Sequence, residues 1–170
     1  MNKLHRRSEP NGIKLDRLIN EILINSNQSQ LNTFGSQLGL VYVSKSVVRK
    51  IFEKMSRYEA VELAARSGKD ATTEAILLVS NTIDLKSFIS WLEVGMKDSS
   101  VEINHNIKGN NHTFIIKHDL GENWTIYQKT VIESIFKEIL RKRIDIITAS
   151  STTLTFKFQD VKEFPERTDR

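Results

Sequence analysis

Three histidines fall close together in this chain, His105, His112 and His118, and imidazole is the side chain best placed to move protons or hold a transition metal near neutral pH. Their spacing sets what they can do. His112 and His118 lie six residues apart on one extended run, which at about 3.3 Å per residue separates them by roughly 20 Å, too far to share an ion. Only His105 and His112, diagonal neighbours across a hairpin, can converge; the bland alternative has these rings bordering a sheet core or stacking on Phe114. His118 is followed by Asp119, which resembles a base beside its orienting acid, yet adjacent strand residues point to opposite faces. Asp119 is better read as a helix cap. Glu122, Glu133 and Glu138 supply carboxylates along one helix, where solvated charge is the ordinary outcome.

Whole reaction classes drop out on composition. With no cysteine there is no disulfide framework, thiolate metal site or thiol nucleophile, which fits a reducing compartment. None of the seven glycines falls in a phosphate-cradling or dinucleotide pattern. The residues therefore predict no catalysis, no metal and no cofactor. A chain of 170 residues with 39% apolar content can bury a core, and no apolar run has the length a bilayer needs, so a cytoplasmic protein without membrane contact is expected. The net charge of +4 and pI near 9.3 favour an anionic partner. Its positive residues cluster at Lys3-Leu-His-Arg-Arg7 and again at Arg141-Lys-Arg143.

The elements that must position these groups change character along the chain. Up to about residue 98 the apolar period is helical. Leu15, Leu18, Ile19, Ile22 and Leu23 form one amphipathic stripe, and Leu31, Phe34 and Leu38 a second ending at Gly39. Ser44 is positioned to cap a helix carrying Val48, Ile51, Phe52 and Met55. Ser56-Arg-Tyr-Glu59 has the spacing of a capping box, with Gly68 ending that helix and Asp70 capping the next, over 71–79. Asp84 caps a further helix with Leu85, Phe88, Ile89, Leu92 and Met96 on its buried face; Trp91 and Val94 widen that face enough for a second contact surface, such as another subunit.

From Val101 the period becomes alternating, which makes Ser99-Ser100 a candidate boundary. A two-residue turn at Gly109-Asn110 would set Ile103 against Ile116 and Ile107 against His112. Asp119 to Glu122 then opens a long helix with Trp124, Tyr127, Val131, Ile135 and Ile139 towards the sheet. A second hairpin pairs Ile144 and Ile146 with Phe156 and Leu154. The predicted class is α+β: an N-terminal helical region followed by a ββαββ antiparallel sheet with one long helix on one face. Its divisions are 1–43, a helical connector over 44–98, the ββαββ module over 99–158, and a frayed tail over 159–170.

The N-terminal segment carries the sharpest hint of function. Asn11-Gly-Ile-Lys-Leu-Asp-Arg-Leu-Ile-Asn-Glu-Ile-Leu23 resembles the second helix of the ribbon-helix-helix DNA-binding family, where a Gly-containing turn precedes a helix of this apolar spacing. The resemblance implies a homodimer whose paired strands enter the major groove, and assigns phosphate contact to the helix start at Gly12, Ile13 and Lys14. In that register ten residues precede the turn, too few for both a ribbon and a first helix. A second register places the ribbon at 2–8 and helices at 13–25 and 28–38, so that Lys3, His5 and Arg7 share the base-reading face with Arg6 opposite. The expected contacts are Lys3, His5, Arg6, Arg7, Gly12, Lys14 and Arg17, with DNA and a second copy as partners. The competing expectation is a protein-interaction or oligomerisation module that ignores DNA.

Overall fold

A computed structural model describes residues 43–99 and 101–160. The chain divides between Tyr42 and Val43, and all described residues belong to the second unit. Helix α1 (Lys45–Lys54) leads to α2 (Arg57–Leu63), which runs through a π turn (Ala64–Gly68) into α3 (Lys69–Ser80); α4 (Leu85–Asp98) follows. Then come β1 (Glu102–Lys108), β2 (Asn111–Lys117), α5 (Glu122–Ser134) with a π extension (Ile135–Leu140), β3 (Asp145–Ala149) and β4 (Thr153–Gln159). The class is α+β. All three strand pairs are antiparallel, in the order β1-β2-β4-β3.

The first hairpin follows the alternation in the sequence. Lys108 pairs with Asn111 around Gly109-Asn110, which places Ile103 opposite Ile116 and Ile107 opposite His112. Gly109 takes φ +58° at the first turn position, a conformation glycine adopts without steric cost. The second hairpin departs from expectation. Ile146 pairs with Phe156 and Ala149 with Leu154, and a bulge between Ile146 and Thr148 absorbs the offset, while Ile144 precedes the strand. An extra residue in one strand is what alternation alone fails to reveal.

Helix α5 occupies the centre of the core. Phe136, in its π extension, meets Phe156 and Phe158 of the sheet and Phe88 of α4 edge-on. Tyr127, expected to face the sheet, instead packs on Phe52 of α1. Gly68 does not end a helix. Its φ and ψ are helical, and a Cβ there would stand 2.6 Å from Val131 Cγ2 and 2.7 Å from the Tyr127 hydroxyl, so its lack of a side chain lets the α2–α3 rod press against α5. Because that rod is continuous, Asp70 lies within it and caps nothing.

Other helix starts are mixed. The capping box at Ser56 forms, with Ser56 Oγ accepting from the Glu59 amide at 3.2 Å and Glu59 accepting from the Ser56 amide at 2.6 Å. Asp84 Oδ1 accepts the Ser87 amide at 2.8 Å. Ser44 holds the cap position of α1, but its hydroxyl meets Ser46 and accepts no amide. Val48 and Phe52 of α1 face the core, whereas Ile51, expected beside them, is 51% exposed. No single helix among the described residues is long and apolar enough to cross a membrane.

Candidate functional site

The expected DNA contacts, Lys3, His5, Arg6, Arg7, Gly12, Lys14 and Arg17, lie outside the described residues. Within the described unit, the chemistry-bearing side chains gather into three groups around β1, β2 and the β2–α5 junction.

In the first, strand pairing brings His105 and His112 together. His105 stacks on Phe114 with ring centroids 3.9 Å apart, and His112 stacks on Phe158 at 5.0 Å, so both rings continue the aromatic rows of the sheet. His105 Nε2 lies 2.9 Å from His112 Nδ1, and His105 Nδ1 lies 2.7 Å from Glu93 Oε1 on α4. Glu93 acts as the orienting acid, since a carboxylate accepts only and must take the Nδ1 proton. His105 Nε2 is then spent on a second imidazole, giving a carboxylate–imidazole–imidazole chain. Burial lowers the pKa of His112, His105 lowers it further, and Asp160 opposes both. Among the described residues no group of three or more histidines or carboxylates is arranged to hold a metal.

The second group is buried at the β2–α5 junction. His118 Nδ1 accepts the Leu120 amide at 3.2 Å, and its Nε2 lies 2.9 Å from Thr125 Oγ1. Thr125 Oγ1 in turn donates to the Ser150 carbonyl at 2.6 Å. These contacts fix the tautomer: with Nδ1 accepting, the proton of neutral His118 sits on Nε2 and is donated to Thr125. Burial pushes the pKa of His118 down to about 4, with Lys45 lowering it and Asp119 opposing. The group is a neutral, fully bonded fastener between β2, α5 and the β3–β4 loop.

Asp119 points the other way, to the surface, and its expected capping role is not what it performs. Gly121, at φ +92°, holds the cap position of α5 without a side-chain bond, while Asp119 pairs with Lys45 at 2.6 Å and with Arg49, both on α1. The Lys45 hydrogen bond is the largest cause lowering the Asp119 pKa. Beside it, Asn123 Nδ2 donates to the Phe52 and Met55 carbonyls at 3.1 and 2.6 Å, closing the end of α1. Of the remaining helix carboxylates, Glu138 pairs with Lys69 at 2.5 Å and Glu133 approaches Lys129 at 3.8 Å; both are structural ties.

Glu93, Thr125 and Asn123 were missed by reading residues in isolation. Glu93 lies on the polar border of the α4 stripe, where a carboxylate looks solvated until the neighbouring strand is known. Thr125 had a weak signal, because it follows Trp124 into the buried face of α5. Compared with protein-family models, curated proteins and solved structures, the chain matches none.

Proposed function

We propose that the chain is a DNA-binding regulator that acts as a homodimer and performs no catalysis, with the described unit as its assembly or sensing module. The observation that carries this reading is the basic run Lys3-Leu-His-Arg-Arg7 set directly before the turn Asn11-Gly12 and the stripe Leu15 to Leu23, with its resemblance to the ribbon-helix-helix family. Lys3, Arg6, Arg7, Lys14 and Arg17 neutralise phosphates or reach bases, His5 shares the reading face, and the amides at Gly12 and Lys14 donate to an anion at the helix start. Two copies related by a two-fold axis set the spacing of half-sites. The fluorescence anisotropy of mixed genomic DNA fragments, titrated with full-length chain over a series of salt concentrations, tests it. Binding at low salt should weaken steeply, with a log–log slope no steeper than about −9 for the ten cations of the dimer. Lys3→Ala/Arg6→Ala/Arg7→Ala, which removes six cations from the dimer, should flatten that slope by up to about five. Absence of binding at low salt refutes the reading.

A specific observation favours a second reading, in which the chain docks a protein partner. Val47 and Ile51 are exposed one turn apart on α1 and line a shallow depression with Ser46, Lys50 and Lys54. An acidic amphipathic segment would suit that surface, and such a chain would ignore DNA at any salt concentration.

A further inference from the structure

We propose that β1 is a self-complementary edge at which a second copy of this chain adds, joining two four-stranded sheets into one of eight strands about a two-fold axis through His105. Four observations carry this. The strand order leaves β1 and β3 as the two edges among the described residues. An exposed row of backbone donors and acceptors is a template for another strand unless something blunts it. β3 is blunted, being five residues long with a bulge between Ile146 and Thr148. β1 is seven residues long, pairs with β2 in unbroken register, and contains neither proline nor bulge.

The sequence of β1 supplies the identity of the partner. Glu102-Ile-Asn-His-Asn-Ile-Lys108 reads the same from either end except at its termini, which carry opposite charges. Paired antiparallel with itself about His105, it sets Ile103 opposite Ile107, Asn104 opposite Asn106, and Glu102 opposite Lys108, each contact made twice. Any other register of the same parity pairs fewer residues and separates the charges. The pairing also covers Ile107, an isoleucine left 59% exposed at the end of the helix-facing row.

Backbone geometry selects the same register. The two-residue turn makes Lys108 and Asn111 a hydrogen-bonded pair, and such pairs alternate along an antiparallel ladder. Lys108, Asn106, Asn104 and Glu102 thus spend their backbone groups on β2, while those of Ile103, His105 and Ile107 point outwards. These three are symmetric about His105, so the two-fold pairing forms six backbone hydrogen bonds and leaves no mismatch at its centre. On the opposite face, Lys117 already holds Glu102 at 2.9 Å, so the incoming Lys108 completes a cation–carboxylate–cation row.

Cysteine cross-linking of the full-length chain tests the register directly, because the protein has no cysteine of its own. Asn104 and Asn106 are exposed and would face each other across the axis as a non-hydrogen-bonded pair, about 4.5 Å between Cα atoms, within reach of a disulfide. Asn104→Cys and Asn106→Cys proteins should form a disulfide-linked dimer when mixed and oxidised, and not when either is oxidised alone. Ile107→Lys and Lys108→Glu, both at exposed positions, should each raise the dimer dissociation constant about tenfold or more in sedimentation while leaving the far-ultraviolet circular dichroism unchanged. A chain that stays monomeric, or a dimer that yields no mixed cross-link and ignores both substitutions, overturns the proposal. The DNA reading fails separately: a β1-linked dimer indifferent to DNA removes that reading alone, and a DNA-binding dimer that yields no mixed cross-link and ignores both substitutions removes this one alone.

Discussion

Acidification should loosen this protein through one buried imidazole, His118, before its carboxylates titrate. In the folded chain His118 must stay neutral, because its Nδ1 faces the Leu120 amide and a second N–H there would set donor against donor. Its folded pKa of about 4 lies below the ordinary value of 6.5, with burial the largest cause. Between these values the unfolded chain binds a proton that the folded chain refuses, so stability falls as pH falls. The contribution is fully present above pH 6.5, declines by about 1.4 kcal/mol per pH unit, and is gone near pH 4, a total of about 3 kcal/mol. His118→Gln isolates it, since the glutamine amide can still donate to Thr125 but does not titrate. That variant should be less stable at pH 7 by about 1–3 kcal/mol, for the Leu120 amide loses its acceptor. Urea denaturation of both proteins at half-unit steps from pH 7.5 to 4 gives the difference profile, in which His112 and the carboxylates cancel. The difference should shrink or change sign by about 3 kcal/mol across the window. A flat difference, or a nitrogen-correlated spectrum placing the His118 proton on Nδ1, refutes the reasoning.

Three further outcomes follow from the contacts around α5. Gly68→Ala should destabilise by about 1–2 kcal/mol in denaturant titration even though alanine favours a helix by about 1 kcal/mol, and a cycle with Val131→Ala should show the cost falling once the valine methyls are gone. Asn123→Ala strips the Phe52 and Met55 carbonyls of their donor and should cost about 1–2 kcal/mol, with amide exchange at the α1–α2 junction accelerating most. Asp119→Asn should raise amide exchange throughout α1 while leaving α5 protected, because its partners Lys45 and Arg49 are both on that helix; acidification below the ordinary aspartate pKa should do the same in the unmodified protein, since the folded pKa is lowered and the tie is lost as pH falls through it.

Strand identity and the first hairpin register were legible because one sheet face is buried and the other is not. Alternation of Phe114 and Ile116 with Thr113 and Ile115 allows one in-phase pairing with Ile103 and His105, and a slip of one residue would turn Phe114 and Ile116 away from the core. The second hairpin has no such protection, for the bulge adds a residue that no periodicity announces. Helix boundaries failed where a residue type has two uses. Gly68 was read as a stop because glycine often ends helices, yet here it permits close approach of α5, a role visible only when the facing Val131 and Tyr127 are known. The face of α5 was half legible: Val131 and Ile135 stand out, but a helix buried between a sheet and a helical layer has apolar residues on two sides, and Phe136 and Tyr127 fall on opposite ones.

The turn from β2 into α5 shows how local chemistry is assigned by where each side chain is carried and not by the residue pair. His118 and Asp119 are adjacent, and in isolation they suggest an acid orienting a base. Both follow the last residue of β2, and the chain there carries His118, 7% exposed, into the core and Asp119 to the surface. Imidazole can be buried neutral with both nitrogens bonded at moderate cost, whereas a carboxylate buried there would need a cation or a proton. The order His-then-Asp is therefore the one that this junction tolerates: His118 binds Thr125 inside, and Asp119 holds Lys45 and Arg49 outside. A reversed order would place an uncompensated charge against Trp124, whose ring centroid lies 4.4 Å from that of His118. The junction thus fastens two layers of the fold through two opposite electrostatic solutions, one neutral and one charged, and both depend on the same single-residue offset.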